Sequence, residues 1–233
     1  MKHLIFTFLI SLFVLNSFSQ HVNQNSGWLM LLNGTKFNDK WGMHLDLQLR
    51  TANDWDGVRN VLFRPGLTYY INKNSNATAG YLLTNTYVKQ DGAANNTLTE
   101  HRIWEQYIYT HRIKSVYAQH RFRLEQRFME TAGGDVFSQR FRYFFRAILP
   151  ISGLKESFVE GPFVALQNEL FFNIQNKDQL NGKLFDQNRA YGAVGYRFSK
   201  SFDIEAGYLN QYLKGRSNNT TNHAVQLAFY TRF

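Results

Sequence analysis

Residues 41–50 read W-G-M-H-L-D-L-Q-L-R, with Trp41, Met43, Leu45, Leu47 and Leu49 on one parity and Gly42, His44, Asp46, Gln48 and Arg50 on the other. A period of two held over this length marks an extended strand with one apolar and one polar face, because successive strand side chains point to opposite sides. A helix would scatter both sets around its circumference.

The pattern recurs on either side. In residues 116–128, Val116, Ala118, Phe122, Leu124 and Phe128 alternate with Tyr117, Gln119, Arg121, Arg123, Glu125 and Arg127. In residues 140–149, Phe141, Tyr143, Phe145, Ala147 and Leu149 alternate with Arg140, Arg142, Phe144, Arg146 and Ile148. Weaker copies lie at 26–36, 58–71, 77–88, 99–110, 158–173, 188–198, 202–213 and 222–233, making eleven candidate strands. Most reach the roughly 9–11 residues that a tilted membrane strand needs, where strands of water-soluble proteins centre on about 5–6.

The connections fall into two alternating classes. Short ones are expected at 38–40, 72–76, 111–115, 151–156 and 199–201, and longer polar ones at 51–57, 89–98, 130–136, 174–187 and 214–221. Short turns at one rim and longer loops at the other are the habit of outer-membrane barrels. The last segment, N-H-A-V-Q-L-A-F-Y-T-R-F, carries Phe229 on an apolar parity and ends on Phe233, in the manner of the C-terminal signal read by the outer-membrane assembly machinery. The expectation is an all-β fold, a single antiparallel transmembrane β-barrel over residues 21–233. Bacterial single-chain barrels have even strand numbers. Either 20–26 adds a short strand and the total is twelve, or one weak segment does not pair and it is ten.

Residues 1–20, M-K-H-L-I-F-T-F-L-I-S-L-F-V-L-N-S-F-S-Q, combine a basic start, an apolar run from Leu4 to Leu15 and a small or polar end. That is the pattern of a secretory leader, cleaved near Ser19 or Gln20; the apolar run is shorter than the roughly 20 residues of a spanning helix. The predicted location is the outer membrane of a Gram-negative bacterium. There is no Cys, which excludes disulfides, thiolate metal sites, cysteine catalysis and a lipoprotein anchor. Aromatic residues make up 16% of the chain, a fraction suited to a wall that is apolar outside and polar within. The formal charge of +9 fits an anionic partner. Export argues against nucleic acid, and the cations are dispersed over many strands.

Inside such a barrel the polar face collects Arg102, Arg121, Arg123, Glu125, Arg127, Arg140, Arg142, Arg146, Glu169 and Arg189, the candidate lining of the lumen, with Arg50, Arg64, Asp46, Glu100, Asp203 and Glu205 beside them. A turn centred on Gly133-Gly134 sets Glu125 opposite Arg142, Arg121 beside Arg146 and Arg127 beside Arg140. Buried charges must pair or meet water, so the row reads either as a salt-bridged plug or as an anion-selective lining that admits a small anionic solute. Expected partners are outer-membrane lipid and the assembly machinery.

Chemistry beyond this is thinly signalled. His120, on an otherwise apolar outward stripe, is the best base for a lipid-modifying enzyme; the spacing sets it near Glu105 or Tyr107 and within reach of no Ser. Glu105 itself falls on the lipid-facing parity, for which a bulge or a place near the membrane edge would account. His21, His44, His101, His111, His120 and His223 show no metal-binding spacing, and Gly133-Gly134 lacks the Lys-Ser or Lys-Thr of a phosphate loop. No catalytic residue, metal or cofactor is assigned. A soluble periplasmic β-barrel binder is the remaining alternative.

The stretches G-W-L-M-L-L, K-W-G-M-H-L-D-L-Q-L-R, H-R-I-W-E-Q, R-F-R-L-E-Q-R-F, L-Q-N-E-L-F-F-N and N-R-A-Y-G-A-V-G-Y-R-F, with the terminal aromatic, resemble a family of uncharacterised Gram-negative outer-membrane proteins, domain of unknown function 2490. The resemblance spans nearly all of the chain after the leader. It implies a barrel and its location without implying an activity.

Overall fold

The computed structural model describes residues 21–89, 96–151 and 158–233; the leader expected at 1–20 lies outside the described residues. Among the described residues eleven strands follow in order: β1 (His21–Lys36), β2 (Trp41–Thr51), β3 (Val58–Tyr70), β4 (Ser75–Val88), β5 (Asn96–Ile113), β6 (Val116–Thr131), β7 (Gly134–Pro150), β8 (Gly161–Gln175), β9 (Phe185–Ser199), β10 (Phe202–Leu213) and β11 (Asn219–Arg232). Each pairs with the next in antiparallel fashion, and β1 closes on β11. No helix among the described residues is long and apolar enough to cross a membrane.

The strand count corrects the expectation of ten or twelve. Residues 21–26 form the start of β1 and no separate strand. An odd number of up-and-down strands brings the first and last to the seam running the same way, so β1 and β11 pair in parallel, from His21 opposite Asn219 to Gly34 opposite Arg232. The ladder is therefore antiparallel everywhere except at this seam. Phe233 prolongs it: Lys36 N–H donates to the Phe233 carbonyl at 2.5 Å, and Phe233 N–H to Gly34 at 2.9 Å.

Two connections depart from the expected sorting. The β6–β7 turn is only Ala132–Gly133, with Thr131 opposite Gly134. Gly134 sits at φ +108, a conformation open to a residue without Cβ. Conversely, β7 ends at Pro150 and β8 begins at Gly161, so the expected short turn at 151–156 is a wider connection, partly outside the described residues. The tight β6–β7 turn also moves the ladder by two residues. Glu125 faces Arg140, not Arg142; Arg121 faces Phe144 and Arg127 faces Ser138.

The two faces of the wall separate as the alternation requires. Phe63, Leu67, Ile103, Leu166, Val194, Val225 and Leu227 stand exposed outside, while Asp46, Arg64, Arg102, Glu125, Arg142 and Glu205 are buried inside. One large ring shapes the interior: an added Cβ at Gly66 or Gly80 would stand 2.8 or 2.5 Å from the Trp104 indole. Gly66 and Gly80 are directly opposed on β3 and β4, and Gly80 faces Trp104 on β5. The two glycines thus form the recess that holds the fully buried ring.

Candidate functional site

The interior is a connected array of guanidinium and carboxylate groups. Glu125, on β6, is at its centre: Arg140 Nη2 donates at 2.7 Å and Arg142 Nη1 at 2.5 Å, and Arg102 and Arg123 lie at 3.5 and 3.9 Å. The i to i+2 spacing of a strand places Arg140 and Arg142 on one face, each within reach of that carboxylate. Arg142 also donates to Glu169 on β8 at 2.7 Å, as does Arg121. Glu100 accepts from Arg102 and Arg127, each at 2.6 Å. Arg64 holds Asp46 at 2.6 Å.

Towards the short-turn rim, Arg146 pairs with Glu205, and Tyr230 O–H donates to the same carboxylate at 3.2 Å. Because β7 and β10 are not neighbours in the wall, this contact crosses the interior. Nearer that rim, Asp203 takes Arg197 at 2.8 Å and Arg232 at 2.6 Å. Arginine suits such a lattice, since its planar fork can serve two carboxylates and still stack on an aromatic face.

The geometry draws all ten lining candidates, Arg102, Arg121, Arg123, Glu125, Arg127, Arg140, Arg142, Arg146, Glu169 and Arg189, onto this inner face. Nine of them take part in ion pairs. Arg189 is different. It has no carboxylate partner among the described residues; its guanidinium carbon lies 4.7 Å from the Phe171 ring centre and 5.1 Å from that of Trp28, and its Nε is buried without a hydrogen-bond partner. Arg50 resembles it: it stacks 3.8 Å from the Trp28 ring centre and donates to Gln48 Oε1 at 2.5 Å.

Several members were not visible in the sequence. Asp186 holds Arg140 Nη1 at 2.9 Å, although its even number assigns it to the outer parity of β9. The ladder shifts between Phe171 opposite Gln187 and Phe172 opposite Phe185. Asp186 is the extra residue of that bulge, and bulges re-aim side chains in this way. Trp28 and Phe171, both buried, serve as stacking surfaces. The G-W-L-M-L-L stretch signals an apolar strand but not that its Trp turns inward among arginines.

Of the cavities inside the barrel, two bear on this array. The larger, about 690 Å³, reaches the short-turn rim past Lys36, Ser115 and Phe233. The smaller, about 160 Å³, lies on the loop side among Arg102, Arg140, Gln187, Gln211 and Leu213. Arg50, Arg64, Arg142 and Arg189 line both, so these four form the partition between them.

In the central and loop-side interior, Arg50, Arg64, Arg102, Arg121, Arg123, Arg127, Arg140, Arg142 and Arg189 stand with Asp46, Glu100, Glu125, Glu169 and Asp186. Nine cations meet five anions there among the described residues.

The outer face corrects two readings. His120 lies opposite Tyr109 and Phe145, not Glu105 or Tyr107. Its Nε2 meets His111 Nε2 at 3.1 Å and its Nδ1 meets the Tyr143 hydroxyl at 2.9 Å, so both ring nitrogens are engaged and neither by a Ser. Glu105 sits in an unbroken stretch of β5, with no bulge, and accepts from Gln126 Nε2 at 3.2 Å. Among the described residues, no cluster of three or more His, Cys, Asp or Glu could hold a metal ion.

The fold is a closed, mostly antiparallel β-barrel with an apolar exterior and an ion-paired interior. A solved structure described as "NanC porin structure in rhombohedral crystal form" has a similar fold, with a TM-score of 0.50 at 12% identity over 84% of this chain and 92% of that one. No curated protein matches the chain by sequence. The family described as "Protein of unknown function (DUF2490)" matches residues 25–222, and the chain belongs to it.

Proposed function

We propose that the protein is a barrel of the bacterial outer membrane, exported by a leader at residues 1–20, whose interior is a constricted passage for small anionic solutes. The observation that carries this reading is the partition: two cavities meet on Arg50, Arg64, Arg142 and Arg189. A solute crossing the barrel would have to pass four guanidinium groups, which attract anions and repel cations. The ion pairs of Glu125, Glu169 and Asp46 hold Arg142 and Arg64, half of that constriction, in place, so the salt-bridged and anion-selective roles belong to one structure.

Membrane residence is supported by the exterior. Large apolar side chains including Phe63, Leu67, Leu166, Val194 and Val225 are exposed all round the wall, and a soluble monomer rarely leaves so much contiguous apolar surface in water. Strands of 11 to 18 residues are long enough to cross a hydrocarbon layer at a tilt. The solved structure of similar fold is a porin by its description, which agrees with passive transport.

The test is conductance of the purified protein in planar bilayers under a salt gradient. An anion preference that falls when Arg50, Arg142 and Arg189 are neutralised supports the reading. Absence of any conductance overturns it in favour of a closed structural barrel.

A further inference from the structure

We propose that the smaller cavity is a binding site for a compact inorganic oxyanion of the phosphate and sulfate class, held by Arg50 and Arg189. The first observation is charge. Among the described residues the surrounding interior holds nine arginines against five carboxylates, and excess charge inside a low-dielectric wall is costly unless a counter-ion neutralises it. A bound anion supplies that neutralisation.

The second observation is where the excess lies. Arg64, Arg102, Arg140 and Arg142 each hold a carboxylate. Arg50 and Arg189 hold none among the described residues, and both line the cavity. Arg189 Nε is a buried donor without a partner. Trp28 keeps the two guanidinium groups near one another by stacking, at 3.8 and 5.1 Å from its ring centre, without consuming their N–H donors.

The third is size and lining. A cavity of about 160 Å³ accepts a small anion with some water and excludes a solute of drug-like size, whose pockets begin near 300 Å³. No carboxylate among the described residues lines it. Gln187 also lines it, and because its carbonyl oxygen is occupied by Gln211 at 2.7 Å, what it can offer a ligand is its amide N–H groups. Guanidinium forks and amide N–H groups together match the several acceptor oxygens of a phosphate or sulfate.

This site lies on the inner wall of the proposed passage and rests on that reading for its access from solution, but occupancy does not require conduction. The test is titration of inorganic phosphate into the full chain, folded in detergent micelles and followed calorimetrically, with sulfate as competitor. Folding of every variant is checked by its heat-dependent shift in gel mobility. The expected result is saturable one-to-one binding, displaced by sulfate and weakened about ten-fold or more by Arg50→Gln and by Arg189→Gln, the loss expected when one charge-assisted contact goes. Arg59→Gln, an exposed position at the loop end of β3, leaves binding unchanged.

Absence of saturable binding to the native chain at low-millimolar phosphate overturns the proposal, as does undiminished binding to both folded Gln variants. If the Gln variants do not fold, Arg50→Lys and Arg189→Lys replace them; these keep the charge but lose the fork, and equal binding by both overturns the site. Binding without conductance retains the site and removes the passage. Conductance without binding does the reverse.

Discussion

Glu125 lies directly across the β6–β7 ladder from Arg140 and takes a hydrogen bond from it at 2.7 Å, while Arg142, two residues further along the same strand, reaches the other carboxylate oxygen at 2.5 Å. One carboxylate thus holds two guanidinium groups in fixed positions, with Arg102 and Arg123 close behind.

Removing that charge should unfold the array. Glu125→Gln keeps the shape of the side chain but leaves four arginines facing an amide. Breaking a buried ion pair from one side costs about 3–5 kcal/mol. Urea unfolding of the refolded variant in lipid vesicles should show a loss of that order; a change below about 1 kcal/mol would mean that water already screens the site.

Asp186→Asn tests the bulge in β9. Among the described residues the Asp186 carboxylate pairs with Arg140 alone, which keeps Glu125, and it is partly exposed. The expected loss is about 1 kcal/mol, well below that of Glu125→Gln. Deleting Asp186 outright should cost little more, because removing the extra residue restores a regular ladder and leaves Phe185 opposite Phe172 on the outer face; a loss as large as that of Glu125→Gln would mean that the bulge itself holds the wall.

Gly80→Ala tests the Trp104 recess. The new methyl carbon would lie 2.5 Å from the indole and 2.4 Å from the Pro65 carbonyl. Overpacking of this kind costs about 1–3 kcal/mol, and the midpoint of the heat-induced mobility shift should fall. Gly80→Ala combined with Trp104→Leu should recover part of the loss, which a purely conformational effect at Gly80 would not do.

Phe233→Ala tests the seam and the proposed assembly signal together. The backbone bonds of Phe233 to Lys36 and Gly34 do not depend on its ring, which is 71% exposed. Refolding in vitro should therefore be close to native, while the yield of folded protein in the outer membrane of cells should drop. Equal losses in both settings would assign the ring a structural role instead.

The wall was legible in the sequence and its closure was not. Alternation in segments such as 41–50 and 140–149 fixes which side chains turn inward, because strand parity is a local property. Register is not local. Choosing Gly133-Gly134 as the turn centre instead of Ala132–Gly133 displaced each β6–β7 partner by two residues, which preserved the face and changed the neighbour: Glu125 met Arg140 where Arg142 was expected. Asp186 was hidden for the opposite reason, since a bulge breaks the parity on which the inside list was built. The stacking of Arg50 and Arg189 on Trp28 joins β1, β2 and β9 across the closure of the barrel, and no spacing along the chain encodes that.

The parallel seam also gives the molecule a built-in sense of direction. His21 stands level with Asn219 at the loop rim, and Gly34 with Arg232 at the turn rim, so the polypeptide enters the wall on one side and leaves it on the other. A membrane-impermeant label directed to a cysteine at His21 and one directed to a cysteine at Phe233 would then report opposite compartments, and two labelling reactions on intact cells would read out the orientation of the barrel.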